Sequence, residues 1–276
     1  MNTTQRFAKV LASALAFAII CGLIGGAAEL ISFFGGFGSM RGKSTDEKTY
    51  DASVTVLDID LKSANIRIAS GVSAGDAITV NTTDPHISVR QRGNTLFIVR
   101  SRSFWRDNTI PAVTVVVPRD HALSAITIAA RSGSTQITGV TSDRLSLDTN
   151  AGSVTLDGVT ILKKAEIKTK TGSISASEGL LTDAAIKTSY GGATLACAFA
   201  GDSEIRLGTG DSAITLPGAM DDYTLDINKG LGDLIVGGKQ VRQDSTFGAG
   251  EVEIEIVHNT GDLTVSYSAQ TQENAA

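Results

Sequence analysis

The chain has 276 residues, a net charge of −5 and 19 % charged residues with both signs interspersed, so it lacks the basic field that nucleic-acid binding needs. Aromatics make up 5 % while glycine counts 29, a balance that suits many tight turns better than a bulky globular core. Cys21 and Cys197 lie in different regions and imply no disulfide framework; Cys197 reads as a small core residue, with no second Cys or His at a metal-ligand spacing.

Residues 1–9 form a short tail carrying Arg6 and Lys9. Val10 to Ala28 comes next, nineteen residues without a charge, long enough to span hydrocarbon as a helix at about 1.5 Å per residue. The expectation is an uncleaved single-pass anchor, residues 10–28. A cleaved signal peptide stays open as the alternative, because Gly26-Ala27-Ala28 resembles a small-residue cleavage site. Basic residues do not set the orientation, since Arg41, Lys43 and Lys48 balance Arg6 and Lys9. The β-rich mass on the C-terminal side fits a domain outside the cytoplasmic membrane. Residues 29–49, with Phe33, Phe34 and Phe37, read as a membrane-surface stretch passing into a polar linker.

From Val54 the alternation has period two: VTVLDID, NIRIASG, DAITVNTT and AVTVVVP read as strands, and HISVRQRGNTLFIVR as a hairpin about its Gly93-Asn94 turn. LDIDLKSANIRIASG, from Leu57, looks like a degenerate copy of the repeats beyond Ala125. Residues 50–124 are therefore expected to cap a larger stack whose open end would expose core and unpaired backbone. Trp105 and Arg106 lie on a polar loop in this section. A sugar-stacking role and a lid folded back on the strands are the two readings, the lid being favoured.

Residues 125–267 repeat with a period near 20. LSLDTNAGSVTLDGV, AEIKTKTGSISASEG, IRLGTGDSAITLPG and LDINKGLGDLIVGG each read apolar-x-apolar-x-Thr or Lys, a glycine turn, and a second apolar-x-apolar run. With the Thr position as marker, Ala130, Thr149, Thr169, Thr188, Thr209 and Lys229 fall 19, 20, 19, 21 and 20 residues apart, and His258 comes after 29 more. A second inward run begins five residues after each marker. Such a period of short strands predicts an all-β, single-stranded parallel β-solenoid of about 20 residues per coil, right-handed by the crossover preference, with about seven coils and three short faces each. Alternation places Leu145, Leu147 and Thr149 inside, with Ala165, Ile167 and Thr169 stacked next to them. The threonine hydroxyls are expected to bond turn backbone. Outward, Asp148, Lys168 and Lys187 should stand side by side, followed by Gly208. The longer gap, KQVRQDSTFGAG, is an insertion expected either to project as a loop or to form an irregular coil, and residues 268–276 form a polar, disordered tail.

Candidate chemistry is sparse. Asp148, Asp157, Glu178, Asp202 and Asp226 scatter rather than pair as in a glycosidase, and His86, His121 and His258 are too far apart for a triad or metal cluster. GTGDSAITL and GLGDLIVGG faintly resemble calcium-binding nonapeptides, but the period here is near 20 rather than nine. No catalytic, cofactor or metal site is assigned. The residues left without a structural explanation, Trp105, Arg106, Arg242 and Phe247, are the candidate partner surface.

The apolar anchor, DPHISVRQRGNTLFIV, VTVVVPRDHALSAITIAARSGSTQI and the repeated SG, AGS and TGS turns together resemble the bacterial adhesin-like β-strand-repeat family, an adhesin-like domain of unknown function. The resemblance covers about residues 50–265. It implies a non-enzymatic, envelope-associated protein, commonly membrane-anchored, and supplies no catalytic residue. The expected function is a membrane-anchored extracytoplasmic binding or scaffold module, its partners the membrane and either cell-wall polysaccharide or an envelope protein. Alternatives are an envelope-sensing regulatory protein with a membrane partner and, less favoured, a polysaccharide-active β-helix enzyme.

Overall fold

The computed structural model describes residues 46–71, 77–100, 110–242 and 244–268. The expected anchor at 10–28, residues 29–45 of the expected linker, the tail from 269, and Trp105 with Arg106 lie outside the described residues. The last part of that linker is instead strand, since Asp46–Tyr50 pairs antiparallel with Ile78–Thr82 and its backbone is taken up by the sheet edge. Among the described residues no helix is long and apolar enough to cross a membrane.

The described chain is all-β apart from one 3-10 turn at Met220–Asp222. Most strands pair in parallel, each with the equivalent strand of another repeat rather than with its own neighbour in sequence. Thr141–Ala151, for example, lies between Ala125–Ser132 and Thr160–Thr171. Hairpins within a repeat would have given antiparallel pairs instead. Three short faces recur. Leu147, Ile167 and Ile186 stack on the first, and Ile137, Leu156, Ala176 and Leu195 on the second. Ile161, Leu181 and Phe199 stack on the third. All of these side chains are buried in the central core, as alternation along each strand requires. Thr141–Ala151 serves two faces by shifting register between Ser142 and Arg144.

The corner between the first two faces sets the register. Gly133, Gly152, Gly172, Gly191, Gly210, Gly232 and Gly261 all have positive φ. A Cβ on Gly152 would lie 2.0 Å from the Gly133 carbonyl oxygen, and one on Gly172 2.2 Å from that of Gly152. Only glycine lets coils approach so closely here. Three residues before each glycine stands one buried position: Ala130, Thr149, Thr169, Thr188, Leu207, Lys229 and His258, with Leu61 before Ala64 in the first coil.

Two expectations are corrected. Thr209 does not occupy the buried column; Leu207 pairs with Thr188, and Thr209 pairs with the exposed Tyr190. The five-residue step to the second inward run survives in this coil only when counted from Leu207 to Ser212. Nor do the coils stack in sequence order. Val252–Thr260 lies between Asp202–Thr209 and Tyr223–Leu231, and Leu263–Tyr267 lies between Ser212–Leu216 and Leu234–Val236. The last repeat is thus interleaved, because periodicity gives the length of a coil and not which coil it will rest on.

Both ends are closed by antiparallel strands. At one end Val56–Ser63 and Asn65–Gly71 form a coil beneath Ala125–Ser132 and Thr135–Thr138, confirming the degenerate copy from Leu57. Thr95–Arg100 and Ala112–Pro118 add in parallel beyond it, followed by Ile87–Arg92 and Ile78–Thr82 in antiparallel fashion. The hairpin read from ISVRQRGNTLFIV is present, with Arg92 opposite Thr95 and Gly93 at φ 59°. At the other end Asp244–Phe247 folds antiparallel onto Leu225–Asn228, so the inserted segment lies along the last coil and covers its edge.

Candidate functional site

No catalytic constellation assembles from the described residues. His121 Nε2 lies 2.6 Å from the Val54 carbonyl oxygen. His258 is fully buried, and no group of three metal-ligating side chains occurs among the described residues. Burial pushes the Cys197 thiol up to about 12, so it stays protonated and unreactive.

The polar members of the buried column have structural work. Lys229 Nζ donates to the Leu231 carbonyl. Burial holds its ammonium below the ordinary lysine range, while Asp262 and Asp233 pull the other way. Thr188 Oγ1 lies 3.4 Å from the carbonyls of Gly172 and Gly191. The Thr149 and Thr169 hydroxyls, by contrast, have no hydrogen-bond partner among the described residues, so the expected bonds to turn backbone are missing there and their methyl groups justify the position. The two glycine-Asp turns likened to a calcium site are joined by a third that the interleaving places between them. Asp211 Oδ1 accepts from the Asp262 backbone N–H at 2.9 Å, and Asp262 Oδ1 from the Asp233 N–H at 2.9 Å. These carboxylates replace backbone partners from coil to coil, as side-chain acceptors do at turns.

The outward side of the first face carries the strongest charge pattern. Asp148, Lys168, Lys187 and Arg206 stand in direct register on successive strands. Arg206, not Gly208, comes after Lys187, which the misplaced Thr209 marker had hidden; counting back from Gly210 would have found it. Beside this column runs an acidic one, Glu204, Glu255 and Asp226, also in direct register. Glu204 pairs with Arg206 and Glu166 with Lys164. The Lys164 ammonium beside Glu166 holds that carboxyl below its usual range. On the other side a shallow groove of about 510 Å³ opens between Lys187, Arg206 and Tyr190, with Gly208 in its lining. A Cβ on Gly208 would meet the Ser189 carbonyl oxygen at 2.1 Å, so this gap in the side-chain surface is enforced by the backbone. Tyr190 is 65 % exposed.

Of the candidate partner residues, Arg242 lines a second cleft of about 600 Å³ at the far end of the stack, with Asp233, Gln240 and Asp244. Phe247 pairs opposite Leu225 and packs half-buried against the core, which gives its apolar ring a structural reason.

A family model described as Toastrack DUF4097 matches residues 76–266. Among curated proteins none matches the chain. Solved structures with a similar course include a candidate adhesin from Bacteroides fragilis, 13 % identical, covering 81 % of this chain and 98 % of its own, with a TM-score of 0.42. A candidate cell adhesion protein from Clostridium sporogenes is 11 % identical, covering 82 % and 99 %, with a TM-score of 0.38. A candidate lipid binding protein from Parabacteroides distasonis is 14 % identical, covering 82 % and 95 %, with a TM-score of 0.34.

Proposed function

The chain belongs to the Toastrack DUF4097 family, and from that premise we propose that it is a non-enzymatic, membrane-anchored binding or scaffold module of a bacterial cell envelope, adhesin-like and displayed outside the cytoplasmic membrane. The observation that carries this reading is the outward side of the first face. There, side chains of successive coils form continuous columns, such as Asp148, Lys168, Lys187 and Arg206, rather than a recess with converging acids and bases. Such a face offers repeated contacts to an extended partner and no enclosed place for chemistry.

The stack is read as a right-handed parallel β-solenoid, the hand that crossovers between parallel strands of one sheet prefer. The uncharged run 10–28 is the proposed anchor, and the chain that follows it tethers the domain, whose first strand is Asp46–Tyr50. Envelope material within reach of that tether is the expected partner.

Protease treatment of intact cells producing the full chain tests the topology. Cleavage of the domain without lysis is the expected result, and a domain untouched until the cells are broken would overturn the extracytoplasmic reading.

A further inference from the structure

Three features meet on the first face. Lys168, Lys187 and Arg206 form a ladder of cations at strand spacing, about 4.8 Å per step, bounded by Asp148 at one end and Val257 at the other. Lys170 lies one outward position further along the same strand as Lys168, widening the cationic strip on the side away from the acidic column. A groove opens beside the ladder, and Tyr190 forms one side with its ring largely free.

We propose that this strip and groove bind a carboxylated polysaccharide, a single extended chain running along the stack axis; the proposal rests on the envelope-binding reading above. Charge complementarity selects an anion: Lys168, Lys170 and Lys187 are exposed, and among the described residues the ladder's one salt bridge joins Arg206 to Glu204. The acidic column sets the width. Glu166 and Glu204 stand one column away, beside Lys168 and Arg206, and Glu255 and Asp226 carry that acidic column on past the end of the ladder, so a broad polyanion such as a nucleic-acid duplex would bring its second strand against like charges. A single sugar chain fits between that column and Tyr190. The groove selects a sugar over a bare polyanion: an aromatic face can stack on a pyranose ring, while Ser189, Thr209 and Asn259 supply neutral hydrogen-bonding groups suited to hydroxyls. The length of the ladder, two steps or about 10 Å, corresponds to a few sugar units per molecule.

The test uses the full chain in detergent micelles and measures binding to polygalacturonate, to dextran as a neutral glucan, and to oligothymidylate. Polygalacturonate alone should bind, more weakly as salt is raised. Lys168→Gln with Lys187→Gln should weaken it about tenfold, the scale of two exposed charge contacts. Tyr190→Ala should weaken it several-fold, while Lys163→Gln, on another side of the coil, should leave it unchanged. All of these side chains are partly or largely exposed, and matched unfolding midpoints will confirm folding. Absence of polygalacturonate binding, equal binding of dextran, indifference to the double substitution, or oligothymidylate bound through the same residues would each overturn the assignment. Protease accessibility on intact cells, measured on the same variants, separates the two levels. A displayed domain that ignores polygalacturonate sinks only this ligand, whereas a protected domain sinks the envelope reading itself.

Discussion

His258 Nε2 stands 2.9 Å from the carbonyl oxygen of Gly210, the corner glycine of the adjacent coil. A carbonyl can only accept, so Nε2 carries the proton in the neutral ring and Nδ1 is left buried without a partner. Further protonation would place a charge in the core facing Lys229, with Asp211 and Asp262 only partly offsetting it. Burial, with Lys229 adding to it, holds the imidazole below its ordinary pKa against the Gly210 hydrogen bond and the two aspartates.

A depressed pKa means that the unfolded chain binds the proton first. The contribution of His258 is therefore fully present above about pH 6.5 and is lost as pH falls from there through the folded-state value. The unfolding temperature should drop on acidification through this window, and His258→Gln, which keeps a donor but does not titrate, should flatten that part of the profile. An unchanged slope in the variant would remove His258 as the cause.

Gly172→Ala should be among the most damaging single changes in the stack. Its φ of 136° costs about 1–3 kcal/mol for any other residue, and its Cβ would overlap the Gly152 carbonyl at 2.2 Å. Gly93→Ala is the contrast, with φ 59° and open space around the new methyl, and should cost only about 1–2 kcal/mol. Denaturant midpoints of the two variants decide the point; equal losses would show that the corner can relax.

The interleaved order can be read by cross-linking. Glu204 is in register with Glu255, and Glu255 with Asp226. In a background lacking the native cysteines, Glu204→Cys with Glu255→Cys should oxidise readily, since opposed residues on adjacent strands lie within disulfide reach. Glu204→Cys with Asp226→Cys should not, being two strands apart at about 10 Å. A disulfide in the second pair would mean that the repeats stack in sequence order after all.

Cys197 is 2 % exposed, and burial pushes its thiol up to about 12. Iodoacetamide near neutral pH should leave it unmodified in the folded chain and label it within the same exposure time once denaturant is added. Peptide mapping separates it from Cys21; rapid labelling of the native protein would show that the third face opens.

Much of this architecture was legible because it depends on local pattern. Leu145, Leu147, Ile167 and Ile186 are buried because they alternate, and the five-residue step appears in the sequence because a glycine corner has a fixed length. Register failed where composition imitated it: LGTGD offers both Leu207 and Thr209, and the positive φ of Gly210 tells them apart. Order failed for another reason. Ile256 meets Ile205 on one side and Ile227 on the other, and three interchangeable isoleucines carry no record of which pairing wins. Phe247 has no role within the repeat pattern because its partner, Leu225, lies across an antiparallel turnback that the period does not contain. The basic ladder was hidden by the same register slip, since it becomes continuous only when Arg206 replaces Gly208.

The interleaving also changes what it means to lie late in the sequence. Segments near the end of a chain ordinarily fray first, because nothing holds their outer side. Glu253–His258 and Leu263–Val265 are flanked by parallel ladders on both sides, so neither stretch can peel away without opening two ladders at once. In amide hydrogen exchange, Val252–Thr260 should outlast Asp244–Phe247, which precedes it in sequence yet has only the coil Leu225–Asn228 to hold it. The stack is latched by its last repeat.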